Sequence, residues 1–249
     1  MKKSSLIVGR QPLIEAIGAG QAIDKILMQK NLNGESVAEI RRLANQNNIP
    51  IQVVPQEKLN GMVRTNHQGV IGLGALIHYY ELQDIIDHCH SQAQIPLFLM
   101  LDGITDVRNI GALTRSAVCC GAQAIIIPDK GVAALNEEAM KSSAGALSII
   151  KVCRVNSLLK AVDQLHLNGI KVFTSTLKSQ KSIFEIDFKQ PCCVIMGSED
   201  KGVQPYLAKA ADELFSIPMA GQFDSFNVSV AAGIILFEAM RVRGEGLIG

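Results

Sequence analysis

The sequence predicts an α/β protein in two parts, a small N-terminal α/β/α module and a larger domain built on a parallel sheet. Three observations lead there. Short apolar runs alternate with segments of helical period along the whole 249 residues, the pattern of repeated strand–helix units. Hydrophobic residues make up 48% of the chain but aromatics only 4%, with no Trp, so the core must be aliphatic. Runs such as Leu97–Leu101 and Cys192–Met196 are apolar at every position rather than at every second one. Strands of that kind are covered on both faces, as in parallel sheets.

The first module reads as strand Ser5–Val8, helix Gln11–Ile17, strand Lys25–Met28 and helix Glu35–Gln46. Pro12 falls in the first turn of its helix, where the missing N–H costs little. In the second helix Val37, Ile40, Leu43 and Ala44 share one face. Strand Ile51–Val54, a short helix over Pro55–Gly61 and strand Gly69–Leu76 complete the module. The polar stretch Ile77–Gln94 marks the boundary; within it Leu82, Ile85, Ile86 and Cys89 have helical spacing and predict a lead-in helix. The expected division is therefore 1–77, 78–94 and 95–249. In the last of these, strand Leu97–Leu101 is followed by a helix over Ile110–Cys120, and strand Ala124–Ile127 by one over Glu137–Ser143. Strand Ile149–Val152 precedes helix Ser157–Leu167, and strand Lys171–Thr174 a looser stretch. Cys192–Met196 leads into Pro205–Ala211, and Leu214–Ile217 into a long terminal helix, Val228–Arg241.

Composition excludes several classes. No apolar run approaches the roughly 20 residues a membrane-spanning helix needs, and MKKSSLIVGRQP breaks too early for a signal peptide. The expectation is a cytoplasmic protein. The six cysteines show no CxxC spacing, and the five histidines do not join them at metal-ligand spacing, so reduced thiols and no structural metal are expected. Formal net charge is +1, unevenly placed. Residues 1–77 carry nine Lys/Arg against five Asp/Glu, a net of +4, and the remainder fifteen against eighteen, a net of −3. A basic front module on a slightly acidic body suits a polyanionic partner.

Three polar loops follow apolar strands, at 102–115, 196–203 and 217–227, and ligands of open parallel sheets bind beyond the carboxyl ends of the strands. In the first, Asn109 stands where a helix N-cap is expected. Arg115 lies in an otherwise apolar helix with no acid three or four residues away, so its guanidinium must reach water or an anion, phosphate being well matched. In the second, GSEDKG, Gly197 permits close backbone approach to a ligand, while the absence of GxxxxGK[ST] and GxGxxG spacings argues against a P-loop or dinucleotide fingerprint. In the third, Ser225 and Asn227 can each cap the terminal helix, whose small residues suit close approach to a ligand or to another subunit. His67, in NHQGV, could touch RNA, though a turn histidine is more often simply exposed.

In this order, NIGALTR, MGSEDKGV and IPMAGQFDSFNVSVAAGI resemble the three motifs of the SpoU (TrmH) RNA 2′-O-ribose methyltransferases of the SPOUT class. GRQPLIEAI and HQGV resemble the small ribosomal-protein-like RNA-binding domain of many members. The chain departs from the family pattern at Ser198, Asp200 and Phe226. The resemblance implies a trefoil knot, S-adenosylmethionine (AdoMet) as cofactor, and a homodimer whose active site combines both chains. It further implies a catalytic neighbourhood of Asn109, Arg115, Glu199, Ser225 and Asn227, with Gly197, Ile217 and Phe226 holding the cofactor. Since a guanidinium stays protonated, Arg115 is expected to clamp a phosphate rather than act as a base, with Glu199 orienting it or joining the dimer contact. The implied substrate is a guanosine of large-subunit rRNA in the peptidyl-transferase region. The alternatives are tRNA, another rRNA loop, or RNA binding without catalysis.

Overall fold

The computed structural model describes residues 6–177, 179–221 and 225–244. They divide into two units, Met1–His78 with Ala134–Glu137, and Tyr79–Ala133 with Glu138–Gly249.

The first unit contains β1 (Leu6–Val8), α1 (Arg10–Gly18), β2 (Ile23–Gln29), α2 (Glu35–Gln46), β3 (Ile51–Val54), α3 (Gln56–Met62) and β4 (Val70–Gly74). Its sheet runs β1-β4-β2-β3, with β4 antiparallel to both neighbours and β2 parallel to β3. Side chains alternate across β2 as the strand period of two demands. Ile26 and Met28 meet Leu13 and Ile17 of α1 and Val37, Ile40 and Ala44 of α2. Leu27 turns the other way, toward Leu59 of α3. The result is the expected α/β/α layering, with Ser5 of the first expected strand outside the described residues. His67 departs from expectation: it is only 7% exposed.

The second unit comprises β5 (Tyr79–Tyr80), α4 (Leu82–Ser91), β6 (Leu97–Asp102), α5 (Val107–Cys119), β7 (Ala124–Pro128), α6 (Glu137–Ser142), β8 (Lys151–Val155) and α7 (Leu158–Leu167). It continues with β9 (Lys171–Ser175), β10 (Cys192–Gly197), α8 (Pro205–Ala210), β11 (Glu213–Phe215) and α9 (Val228–Arg243). The sheet order is β11-β9-β10-β6-β7-β8-β5, and every neighbouring pair is parallel. One face, through Phe98, Met100, Ile126, Val172 and Ile195, packs on α4, α7 and α8. On the other, α5 and α9 pack together, α5 meeting β7 and α9 meeting β10. Phe188 stands edge-on to Phe173 and Phe215, with ring centroids 5.7 and 6.0 Å apart.

Three of the differences from the sequence reading have a clear cause. Tyr79–Tyr80, placed in the linker by their polar surroundings, pair with β8 as an edge strand. The strand expected from Ile149 begins at Lys151, because residues 146–148 form a 3-10 turn that leaves Ile149 74% exposed. Helix α5 begins at Val107, three residues early, because Asp106 caps it.

Candidate active site

Residues Gly197 and Asp102 are paired at the carboxyl ends of β10 and β6. Asp102 is 2% exposed, and both its oxygens are taken by Gln204. Oδ2 accepts the Gln204 backbone N–H and Oδ1 its side-chain amide, each at 2.7 Å. This clamp fixes the far end of the loop that leaves β10. At its near end the loop doubles back on itself, Gly202 N–H donating to the Ser198 carbonyl at 2.8 Å. A Cβ on Gly197 would stand 2.0 Å from the Gly202 carbonyl carbon and 2.1 Å from Val203 N, so only glycine fits.

The helix starts explain the two asparagines. The Asp106 carboxylate accepts from the N–H groups of Arg108 and Asn109 at 2.6 and 3.3 Å, so Asn109 is not the cap of α5 and its amide is available for other contacts. Asn227 does cap α9, accepting from Ser229 N–H at 2.9 Å, whereas Ser225 makes no cap bond among the described residues. The Asn227 amide donates to Asn109 Oδ1 at 3.3 Å and to Glu199 Oε1. The Asn109 amide donates to the same Glu199 oxygen at 3.2 Å. One residue from each of the three polar loops thus meets in a single hydrogen-bonded cluster. Glu199 Oε2 has no partner among the described residues, which leaves it as an open acceptor at the cluster's edge.

Arg115 is not part of this cluster. It is exposed on α5 and forms no ion pair or hydrogen bond among the described residues. Six residues along a helix place it about 9 Å farther on and about 120° around from Asn109. Within one chain Glu199 does not meet Arg115; it holds two amides.

Beside the cluster lies a cavity of about 460 Å³ lined by Gly197, Glu199, Ile217, Ser225 and Phe226, all singled out in the sequence. Asn109 and Asn227 stand behind Glu199 rather than in the lining. Thr174 in β9, Thr176 and Leu177 just beyond it, and Met219 after β11 also line the cavity and were missed. Asp102 and Gln204 were missed as well. An acid terminating the wholly apolar run LFLMLD was the available signal for Asp102; nothing local marks Gln204. The cavity falls within the roughly 300–1,000 Å³ of small-ligand sites. Its apolar Leu177, Met196, Ile217, Met219 and Phe226 beside polar Thr and Ser fit a flat heterocycle joined to a sugar. Among the described residues no His/Cys/Asp/Glu group could hold a metal ion, and no helix is long and apolar enough to cross a membrane.

This is an open α/β architecture whose ligand pocket lies beyond the carboxyl ends of a parallel sheet. Comparison with known proteins narrows it. Residues 96–237 match the model of the SpoU rRNA Methylase family, and residues 6–79 that of the RNA 2′-O ribose methyltransferase substrate-binding domain. A Staphylococcus saprophyticus protein named "Putative TrmH family tRNA/rRNA methyltransferase" is 34% identical over 96% of both chains. A Bacillus subtilis protein of the same name, YacO, is 32% identical over 95% of both. Among solved structures, the AdoMet-bound rRNA methyltransferase of Sinorhizobium meliloti superposes with a TM-score of 0.59 at 26% identity, covering 96% of this chain and 88% of that one. The A. aeolicus TrmH/SpoU tRNA modifying enzyme gives 0.56 at 25% identity, covering 66% and 84%. The chain belongs to the SpoU methylase family of AdoMet-dependent RNA 2′-O-methyltransferases.

Proposed function

We propose that the chain methylates the ribose 2′-OH of a guanosine in the peptidyl-transferase region of bacterial large-subunit rRNA, as an RlmB-like enzyme. The observation that carries the reading is the Asn109–Glu199–Asn227 cluster beside the cavity. The choice of rRNA is supported by coverage: the S. meliloti rRNA enzyme aligns over 96% of the chain and the A. aeolicus tRNA enzyme over 66%. Methylation of tRNA, at the same site and by the same chemistry, is the second reading, favoured by the joint tRNA/rRNA naming of the relatives.

In this reading residues 1–77 bind RNA, 78–94 lead into the catalytic domain, and 95–249 carry out the chemistry. Gly197, Ile217 and Phe226 hold AdoMet, which when bound supplies an electrophilic methyl group. Glu199 Oε2, the open acceptor, takes the hydrogen bond of the ribose hydroxyl and orients its oxygen. Asn109 and Asn227 keep that carboxylate in place, and Ser225 borders the same opening. Positioning of this kind supplies several kcal/mol of barrier reduction, about 7 or more in the best-oriented cases. Arg115 clamps the neighbouring phosphate, bidentately. Because it stands outside its own chain's cluster, a homodimer would bring a second copy's guanidinium to the site. Val230, Ile234 and Phe237 form an outward apolar stripe on α9, Val230 and Phe237 being 49% and 53% exposed, and this stripe is the natural contact. The trefoil knot implied by the resemblance belongs to the same proposal.

The test is methyl transfer from labelled AdoMet to large-subunit rRNA and to bulk tRNA, with the modified ribose mapped and Arg115→Ala as control. A single 2′-O-methylguanosine in the peptidyl-transferase region, lost in the variant, is expected. Label in tRNA alone would replace the target, and transfer to neither RNA would overturn the reading.

A further inference from the structure

The first unit carries a second cavity, an open groove of about 750 Å³ between α3, the end of β2 and the loop before β4. Among the described residues Arg10 and Arg64 are its only charged lining side chains, and no Asp or Glu lines it. The loop is held rigid from beneath. His67 Nδ1 accepts the Gly69 N–H at 3.0 Å, which puts the ring hydrogen on Nε2, donating to Asn60 Oδ1 at 2.8 Å. Arg10 Nε donates to the Gln68 carbonyl at 3.0 Å, and Gln68 Oε1 accepts the Arg10 backbone N–H at 3.2 Å. Gln68 N–H donates to Asn66 Oδ1 at 3.1 Å, and Gln56 Oε1 accepts from Gln29 at 3.4 Å.

The consequence is chemical. The amide oxygens of Gln56, Asn60, Asn66 and Gln68 are all engaged, while their NH₂ groups have no partner among the described residues. The Arg64 guanidinium likewise has none. The groove therefore presents mainly hydrogen-bond donors and positive charge, with Gln29 Oε1, at the end of β2, as an open acceptor among the described residues. A ligand rich in acceptors and anionic suits it.

We infer that this groove takes one unpaired nucleotide of the RNA substrate, its base carbonyls on the amide donors and its backbone phosphate on Arg64 and Arg10. The inference rests on the RNA reading above and adds a recognition point separate from the methylation site. A splayed nucleotide offers its Watson–Crick carbonyls and a phosphate together, whereas in an A-form duplex those carbonyls are paired and the remaining major-groove edges lie too deep for side chains to reach.

The experiment uses the full chain and a short single-stranded RNA of mixed sequence carrying 4-thiouridine. Photo-crosslinks are mapped by mass spectrometry, RNA affinity is read by fluorescence anisotropy, and AdoMet affinity by calorimetry. Arg64→Ala removes the cation; Asn60→Asp keeps the His67 partner and replaces a donor with an anion. Crosslinks within residues 56–69 are expected, competed by single-stranded RNA and not by duplex. Each variant should weaken RNA binding about tenfold, Arg64→Ala also lowering the salt slope by about 1, with AdoMet affinity and the far-ultraviolet spectrum unchanged. RNA binding at wild-type strength in both variants, crosslinks confined elsewhere, or equal competition by duplex would overturn the groove while leaving the RNA reading intact. A wild-type chain that binds AdoMet but no RNA would overturn both.

Discussion

At the amino ends of β6, β9, β10 and β11 the sheet is stapled by charge, whereas at the carboxyl ends of the same strands the chain, apart from the buried Asp102–Gln204 clamp, turns on glycine and exposed amides. On the amino side Arg243, in the last turn of α9, donates to four backbone carbonyls, those of Phe188, Ile95, Pro96 and Gln190, at 2.7–3.0 Å. Asp212 accepts from Lys171, from Val172 N–H and from His166 at 2.8–2.9 Å. These bonds close off carbonyls and strand ends that would otherwise lack partners. On the carboxyl side the cluster leaves Glu199 Oε2 open among the described residues. The difference teaches a division of labour: one end of the sheet is saturated with internal partners and holds the fold, and the other keeps donors and acceptors open for ligands.

Substitutions can break this contrast from either side. The largest effect is expected from Gly197→Ala, whose methyl must displace backbone. A loss of about 3 kcal/mol in denaturant unfolding, at the upper end of overpacking costs, should accompany loss of measurable AdoMet binding by calorimetry. Next comes Arg243→Ala, expected to cost about 2 kcal/mol through the stranded carbonyls, with the AdoMet affinity of the folded protein unchanged. Glu199→Gln should move stability by less than about 0.5 kcal/mol, as exposed substitutions do, yet slow methyl transfer about a hundredfold in single-turnover assays. The smallest effect is one of pH. Burial pushes the Asp212 carboxyl up, but its bonds to Lys171, Val172 N–H and His166 outweigh that and hold it below its ordinary value. A carboxyl lowered in the folded state contributes stability above its unfolded value, about 3.9, and loses it as pH falls through the folded one. Asp212→Asn should therefore flatten the acid limb of the stability curve and leave the slope near pH 7 unchanged.

Much of the fold was legible because strands buried on both faces leave an unbroken apolar signal. Cys192–Met196 reads as an interior strand, and the spacing of Leu82, Ile85, Ile86 and Cys89 gives α4 its buried face. Tyr79–Tyr80 was not legible, because what places it is distant: β8 pairing, and the Arg154 guanidinium 3.7 Å from the Tyr79 ring centroid. Asn109 was expected to cap α5, but Asp106, three residues earlier and equally competent by side chain, takes that place. At the site, Asn109, Glu199 and Asn227 could each be nominated from loop position, but not their mutual bonds, which join residues 28 to 118 positions apart. The Asp102–Gln204 clamp spans 102 positions and leaves no local pattern. Arg115 is the reverse case: its want of a nearby acid was visible in the sequence and persists in the fold.

The most direct test of the division between the two sheet ends is hydrogen exchange of the full chain with and without AdoMet. Added protection is expected in residues 196–204 and 225–231, and none in 94–96, 187–191 or 210–213. Protection concentrated at the amino-end segments, with the carboxyl-end loops unchanged, would contradict it.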